Sequence, residues 1–155
     1  MKHIKKNVSI CNYVCAGLML ILLVLQFMPF WEVPDKTVSI QSYIWQPDTN
    51  KEVTDYLRLK LGADYKIDQI IAMPIWSIIL CVAGIICSLI KPKSFFTALI
   101  PAFCGVIGIW GYLTKPAFQL GTGWVLHLII CIIMLAIACI TFFSHIKEVK
   151  DMILS

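Results

Sequence analysis

The sequence predicts an all-α membrane protein, a bundle of four transmembrane helices with a small extracytoplasmic insert between the first and second helices. Hydrophobic residues make up 59% of the 155 residues and charged residues only 14%, against about 25% charged residues in soluble domains. Four runs lack Asp, Glu, Lys and Arg, at 7–31, 69–90, 94–114 and 116–146. Each run reaches the roughly 20 residues that a helix needs to cross a bilayer.

The first run follows a lysine-containing N-terminus that resembles the start of a signal peptide. The apolar run is too long for a signal peptide and ends in Phe27-Met28-Pro29-Phe30-Trp31, without a small-residue cleavage site. We expect an uncleaved anchor in a single membrane domain, 1–155, with helices at about 8–31, 69–90, 95–114 and 122–144. The long runs lack the alternation of barrel strands, which leaves the helix as the spanning structure.

Lysine placement predicts that both termini are cytoplasmic and that the insert is extracytoplasmic. Cytoplasmic segments of membrane proteins are enriched in Lys and Arg near the helix ends. The lysines close to the predicted inner ends are Lys2, Lys5, Lys6, Lys91, Lys93, Lys147 and Lys150. Five aromatic residues fall near the predicted outer ends and are expected to form an interfacial belt, namely Trp31, Trp76, Trp110, Tyr112 and Trp124.

The extracytoplasmic insert, 32–68, is predicted to contain a strand and then a short helix. Residues 37–45 alternate in polarity and are rich in β-branched and aromatic side chains, which favours a strand. Thr49 and Glu52 have the spacing of a capping box, and Gly62 is a typical helix end. The helix carries an apolar stripe formed by Val53, Tyr56, Leu57 and Leu61. Because 37 residues are too few for an independent core, the insert is expected to lie on the bundle or on a partner.

Four aromatic residues of the insert form a candidate outer interaction surface. Aromatic side chains with polar tips are favoured at interfaces. The alternative interpretation, which we favour, is that they cover the outer end of the bundle. The residues are Tyr43, Trp45, Tyr56 and Tyr65.

His127 is the one ionisable residue deep within a predicted membrane helix, and it is the leading candidate for an intramembrane polar site. Gln26 is expected at a similar depth in the first helix, within hydrogen-bonding reach of His127. A structural role, in which a neutral histidine joins two helices, is somewhat favoured over a proton or ligand relay. A haem held by two axial histidines is disfavoured, because His3 and His145 lie at the cytoplasmic edge.

The third helix carries small residues at every third position, which allows close approach of another backbone. The stripe predicts tight helix packing, within the bundle or against a second copy. The alternative is a pathway lined by backbone. Its members are Ala102, Gly105, Gly108 and Gly111.

All seven cysteines fall within the apolar runs, so a disulfide framework in the outer loops is excluded. Cys11, Cys15, Cys87 and Cys139 fall in the cytoplasmic third, where a thiol or metal site is conceivable geometrically. The sequence has neither a CxxC pair nor paired histidines to support it. Buried cysteine commonly acts as a small apolar residue. We therefore predict neither a metal nor another cofactor, and no catalytic residues.

The layout of a first helix, an outer strand and short helix, and three further helices resembles the general plan of claudin-type tetraspan proteins. Those proteins carry a tryptophan and a cysteine pair in the first outer loop. This insert has Trp45 but no cysteine. The resemblance is therefore one of layout, and we assign no family and expect no paracellular-barrier role.

The sequence favours a non-enzymatic accessory or assembly subunit of a membrane complex, in contact with lipid and with another membrane protein or itself. The alternative is a small homo-oligomeric channel or facilitative transporter, and a weaker one is a thiol or metal enzyme at the cytoplasmic face. Nucleic acid is not an expected partner, because the +4 net charge is spread over short loops. The preference for lysine over arginine and the many isoleucines suggest an AT-rich bacterial genome and location in the cytoplasmic membrane.

Overall fold

The computed structural model describes residues 2–33, 36–62, 67–113 and 121–154, which are mostly helical with one small two-stranded sheet. The elements in chain order are α1 (Lys2–Leu25), β1 (Pro29–Val33), β2 (Lys36–Ser39), α2 (Ile40–Trp45), α3 (Pro47–Leu61), α4 (Ile67–Ile90), a 3₁₀ helix η1 (Phe95–Ala98), α5 (Leu99–Leu113) and α6 (Thr122–Leu154).

Helices α1, α4, α5 and α6 pack in a closed ring, in which α1 contacts α4 and α6, and α5 contacts the same two helices. Within the described residues, two helical segments are long and apolar enough to cross a membrane, Asn7–Leu25 and Thr122–Ile146. The apolar segments of the other two helices, Ile75–Ile90 and Phe95–Gly111, are shorter. The described structure thus contains two candidate spans by length and composition, where the sequence predicts four.

Helix α1 ends at Leu25, six residues before the predicted end of the first helix. The amides of Phe27 and Met28 donate to the carbonyls of Val24 and Leu25, at 3.2 and 2.9 Å, and close the last turn. Pro29 then opens β1, which pairs antiparallel with β2. Apolar content alone could not place the end of the helix, because the first three residues of β1 continue the same charge-free run.

The sheet, α2 and α3 form one small unit, here called the cap, which comprises residues 29–33 and 36–61. Its buried core includes Phe30, Val38, Ile40, Val53 and Leu57, and this cluster also contains Trp124 of α6. The structure therefore confirms that the insert lies on the bundle, because its core is completed by a bundle side chain.

The predicted strand over 37–45 is wrong after Ser39, where the chain turns into α2. Ser39 caps this helix, because its hydroxyl accepts a hydrogen bond from the amide of Ser42 at 3.1 Å. Val38, Ile40 and Ile44 have the alternating spacing of a strand, but Ile40, Tyr43 and Ile44 have the spacing of a helix face, so the sequence pattern was ambiguous. Both Ile40 and Tyr43 are buried on one face of the helix.

Helix α3 begins at Pro47, two residues before the predicted capping residue, Thr49. Proline fits the first turn because the amide it lacks has no partner there anyway. The hydroxyl of Thr49 donates to Oε1 of Gln46 at 3.0 Å instead of capping the helix. The predicted end is confirmed, since Gly62 follows the helix with φ of +91°, a conformation that favours glycine.

Trp124 is not a member of an interfacial belt, because it is 2% exposed and its ring meets that of Phe30 edge to face at a centroid distance of 5.0 Å. Trp76 and Trp110 are exposed, as an interfacial position requires. The side chains of Trp31 and Tyr112 lie outside the described part of the structure. Docking of the cap explains the error, since it covers the start of α6.

Candidate functional site

His127 lies at the centre of a buried polar site where α4, α5 and α6 meet. Its side chain is 3% exposed, and its Nε2 is 3.5 Å from the hydroxyl oxygen of Ser77 on α4. The rings of Phe30 and Trp124 lie 5.8 and 5.9 Å from the imidazole, measured between centroids. The histidine therefore joins the bundle to the base of the cap.

Three buried thiols continue this polar site along the bundle. The Ser77 hydroxyl lies 3.7 Å from Sγ of Cys104 on α5, and Sγ of Cys104 lies 3.7 Å from Sγ of Cys81 on α4. The thiol of Cys131 on α6 donates to the carbonyl of Cys104 at 4.0 Å. The chain of contacts thus crosses all three helices.

The candidate thiol site predicted from the sequence, at Cys11, Cys15, Cys87 and Cys139, does not include this central group. A signal for it was present, because Ser77 and Cys81 are four residues apart, as are His127 and Cys131. Residues at that spacing share one helix face. The sequence did not indicate which faces of α4 and α6 meet, because both helices carry apolar residues on all sides. Among the described residues, no group of three His, Cys, Asp or Glu side chains is arranged to hold a metal ion.

Gln26 lies just after the end of α1 and is buried. Its side-chain oxygen accepts from Nε2 of Gln41 at 3.4 Å, and its carbonyl accepts from the Gln41 amide, also at 3.4 Å. Oε1 of Gln41 accepts in turn from the indole of Trp45 at 2.7 Å. These hydrogen bonds connect Gln26 to the cap, whereas the contact between His127 and Ser77 connects α6 to α4.

The small-residue stripe lies largely in the contact between α5 and α6. A Cβ atom on Gly105 would lie 2.9 Å from the carbonyl oxygen of Cys131, and one on Gly108 would overlap the Cys131 thiol. Gly111 is buried as well, whereas Ala102 is half-buried and lines an apolar groove. Glycine at 105 and 108 lets the two backbones approach closely.

The four aromatic residues of the candidate outer surface have different environments. Tyr43 is buried, with its hydroxyl 3.5 Å from that of Thr54, and Tyr56 is half-buried with Nζ of Lys60 5.9 Å from its ring centre. Trp45 is 76% exposed, and Tyr65 lies outside the described residues. Leu59 on α3, which the sequence did not single out, is 82% exposed.

The four cysteines that the sequence predicts at the cytoplasmic side are dispersed. Cys15 is buried in the bundle and Cys11, one turn earlier, is half-buried. Cys87 lines a groove between α4 and the start of α5, whereas Cys139 lines a second groove between α5 and α6.

This chain matches no known family model, no curated protein and no solved structure. A functional assignment for this chain therefore rests on the geometry alone. It defines a helical protein with a buried polar contact chain, a docked cap and two lateral grooves beside η1.

Proposed function

We propose that the chain is an integral membrane protein of the cytoplasmic membrane in which all four helices of the bundle, α1, α4, α5 and α6, cross the bilayer. In this arrangement the termini are cytoplasmic and the cap is extracytoplasmic. The observation that carries the proposal is the distribution of polarity around the helix ring. Buried polar residues lie inside it, including Asn12, Ser77, Ser88, His127 and Thr141, whereas large apolar side chains face outward.

The outward apolar residues occur on α4 and α5, whose apolar segments are shorter, as well as on α1 and α6. On α4 they include Ile79 and Leu89, and on α5 they include Phe103 and Val106. Exposed apolar surface of this extent is unfavourable in water and favourable against lipid chains. This supports a lipid environment around the whole ring, beyond α1 and α6.

Within this class, we propose a non-enzymatic accessory or assembly subunit. The centre of the bundle is filled, since Met19, Leu22, Cys81, Cys131 and Met134 are all fully buried. A packed centre favours a scaffold over conduction through a single chain. The apolar side chains that the cap exposes, Trp45 and Leu59, offer anchors for another membrane protein at the outer surface.

Topology is tested by substituted-cysteine labelling with a membrane-impermeant maleimide. Lys51 in the cap and Lys150 in the tail are both exposed. We expect Lys51→Cys to react in cells from which the cell wall and any outer membrane have been removed. Lys150→Cys should react only in inside-out vesicles. The parent chain, with its seven native cysteines, gives the background. Labelling of both positions from the same side would contradict the proposed topology.

Assembly is tested by native mass spectrometry of the protein extracted from its own membrane in mild detergent. We expect a heterologous subunit at fixed stoichiometry, which Leu59→Glu removes and Lys51→Ala retains. Both positions lie exposed on α3, so the folded cap is preserved in both variants. A closed homo-oligomer without partners would overturn the accessory role and favour the channel alternative.

A further inference from the structure

A groove of about 460 Å³ opens on the side of the bundle, where α4 ends and α5 begins. Its apolar wall is formed by Cys87, Ile90, Phe96 and Ile100, and Lys91 and Ser94 lie at its rim. The volume falls within the range of small-molecule sites, about 300–1,000 Å³. The groove is therefore amphipathic, with polar groups at the turn and apolar groups along the helices.

The rim of this groove is a well-connected turn. The Lys91 amide donates to the carbonyl of Cys87 at 2.8 Å, and the carbonyl of Lys91 accepts from the Ser94 amide and from the Thr97 hydroxyl, both at 3.1 Å. The side-chain amide of Asn12 on α1 donates to the carbonyls of Pro92 and Ser94, at 2.8 and 3.1 Å. The backbone that carries Lys91 is thus held in place from two sides.

This groove differs in charge from the neighbouring groove on the other side of η1. Lys91 lines the first groove and Lys93 follows two residues later, and both side chains are exposed. The second groove, of about 170 Å³, is lined by apolar residues of α5, α6 and η1 such as Leu99, Ala138 and Phe142. Among the residues that the structure describes, no acidic side chain lines either groove. Only the first groove combines a cationic rim with an apolar wall.

We propose that the first groove binds one anionic phospholipid from the cytoplasmic leaflet. The phosphate and headgroup lie at Lys91 and Lys93, and an acyl chain follows the apolar wall past Cys87 and Ile100. This inference rests on the proposed membrane topology, which places the turn at the cytoplasmic surface. Charge complementarity selects the occupant, because a lysine near an anionic headgroup contributes roughly 1 kcal/mol, which corresponds to about fivefold in affinity.

The test is native mass spectrometry of delipidated protein titrated with dioleoylphosphatidylglycerol or dioleoylphosphatidylcholine in detergent. The wild-type protein is expected to retain one phosphatidylglycerol in preference to phosphatidylcholine. Lys91→Gln should reduce that preference about fivefold, and Lys91→Arg should restore it. Lys150→Gln is the matched control, because it removes another exposed lysine of the same predicted side that lines neither groove.

Two further measurements make the assignment specific to the groove. Ile100→Trp places a larger side chain in the apolar part of the groove. This variant should retain less lipid although Lys91 is unchanged. Glycerol phosphate, a soluble headgroup without acyl chains, should fail to displace the bound lipid at millimolar concentration. Equal loss of preference in Lys91→Gln and Lys150→Gln, or displacement by glycerol phosphate, would overturn the proposal.

Failure of the lipid site and failure of the membrane topology give different results. If the groove is wrong, Lys91→Gln and the wild-type protein retain lipid alike while the maleimide labelling pattern stays as predicted. If the topology is wrong, the labelling pattern itself changes.

Discussion

Gly108 lies where α5 packs directly against side chains of α6. A Cβ atom there would overlap the thiol of Cys131 and lie 3.2 Å from Nε2 of His127. Both neighbours belong to the buried contact chain, whose other contacts leave them little room to move. The absence of a side chain at position 108 is therefore required by packing.

Gly108→Ala is expected to lower the free energy of unfolding by about 1–3 kcal/mol, because inserting a methyl group into a packed core forces its neighbours apart. Reversible unfolding in mixed micelles measures the effect. Gly17→Ala is the matched control, since a Cβ atom at Gly17 would have no neighbour within 4 Å. That variant should be neutral or up to about 1 kcal/mol more stable, since alanine favours the helix. Equal effects of the two substitutions would contradict the packing interpretation.

Ser77 and His127 are expected to be energetically coupled through their 3.5 Å contact. In a double-mutant cycle of Ser77→Ala and His127→Leu, we predict a coupling energy of about 0.6 kcal/mol, typical of side-chain hydrogen bonds between membrane helices. The same unfolding measurement applies. Ser88 lies on the same helix, is fully buried, and has no hydrogen-bond partner for its hydroxyl among the described residues.

Ser88→Ala therefore serves as the control for that cycle, and its effect should add to that of His127→Leu without coupling. It should also stabilise the protein slightly, because an unsatisfied buried hydroxyl is lost. Coupling of His127 to Ser88 as large as that to Ser77 would show that the cycle reports general loosening of the bundle. At this scale the sequence identified His127 as buried and polar, but it could not identify Ser77, since serine is also common as a small packing residue in helices.

At the scale of elements, the helices of the bundle were predictable because long charge-free runs allow few alternatives. The cap was predictable only in part. Val38, Ile40 and Ile44 fit a strand by alternation, whereas Ile40, Tyr43 and Ile44 fit a helix by spacing, and the Ser39 cap selects the helix. The placement of the cap depends on Trp124, some 80 residues later in the chain, and no local pattern carries that information.

Helix α1 is joined to the turn after α4 through the side chain of Asn12. Asn12→Ala removes the donor to the carbonyls of Pro92 and Ser94. We expect the free energy of unfolding to fall by about 1–3 kcal/mol, the usual consequence of leaving buried acceptors unsatisfied. We also expect faster cleavage after Lys93 when trypsin is added to the side of the membrane that carries this turn. Tyr13→Ala, on the exposed face of the same helix, should cleave at the wild-type rate. Unchanged cleavage in Asn12→Ala would show that the turn is held without α1.

At the scale of the whole molecule, the outward face of α5 decides between two architectures. If only α1 and α6 cross the membrane, the exposed apolar residues of α5 lie in water or against a partner. If all four helices cross, they lie against lipid. Val106 is 51% exposed at the midpoint of α5, within the apolar segment Phe95–Gly111, so a substitution there probes the environment directly.

Val106→Arg is expected to cost about 3 kcal/mol of insertion free energy if α5 faces the hydrocarbon core, since arginine is unfavourable at the centre of a membrane helix by roughly that amount. The measured quantity is the fraction of protein that accumulates in the membrane and withstands alkaline extraction. Leu59→Arg is the matched control, because it places the same charge at a more exposed apolar position of the cap. If the outward face of α5 lies in water, Val106→Arg and Leu59→Arg should both be tolerated. A fall in membrane accumulation for Val106→Arg alone would support four spans, whereas wild-type accumulation in both variants would place α5 outside the bilayer and remove the basis for a lipid site beside it.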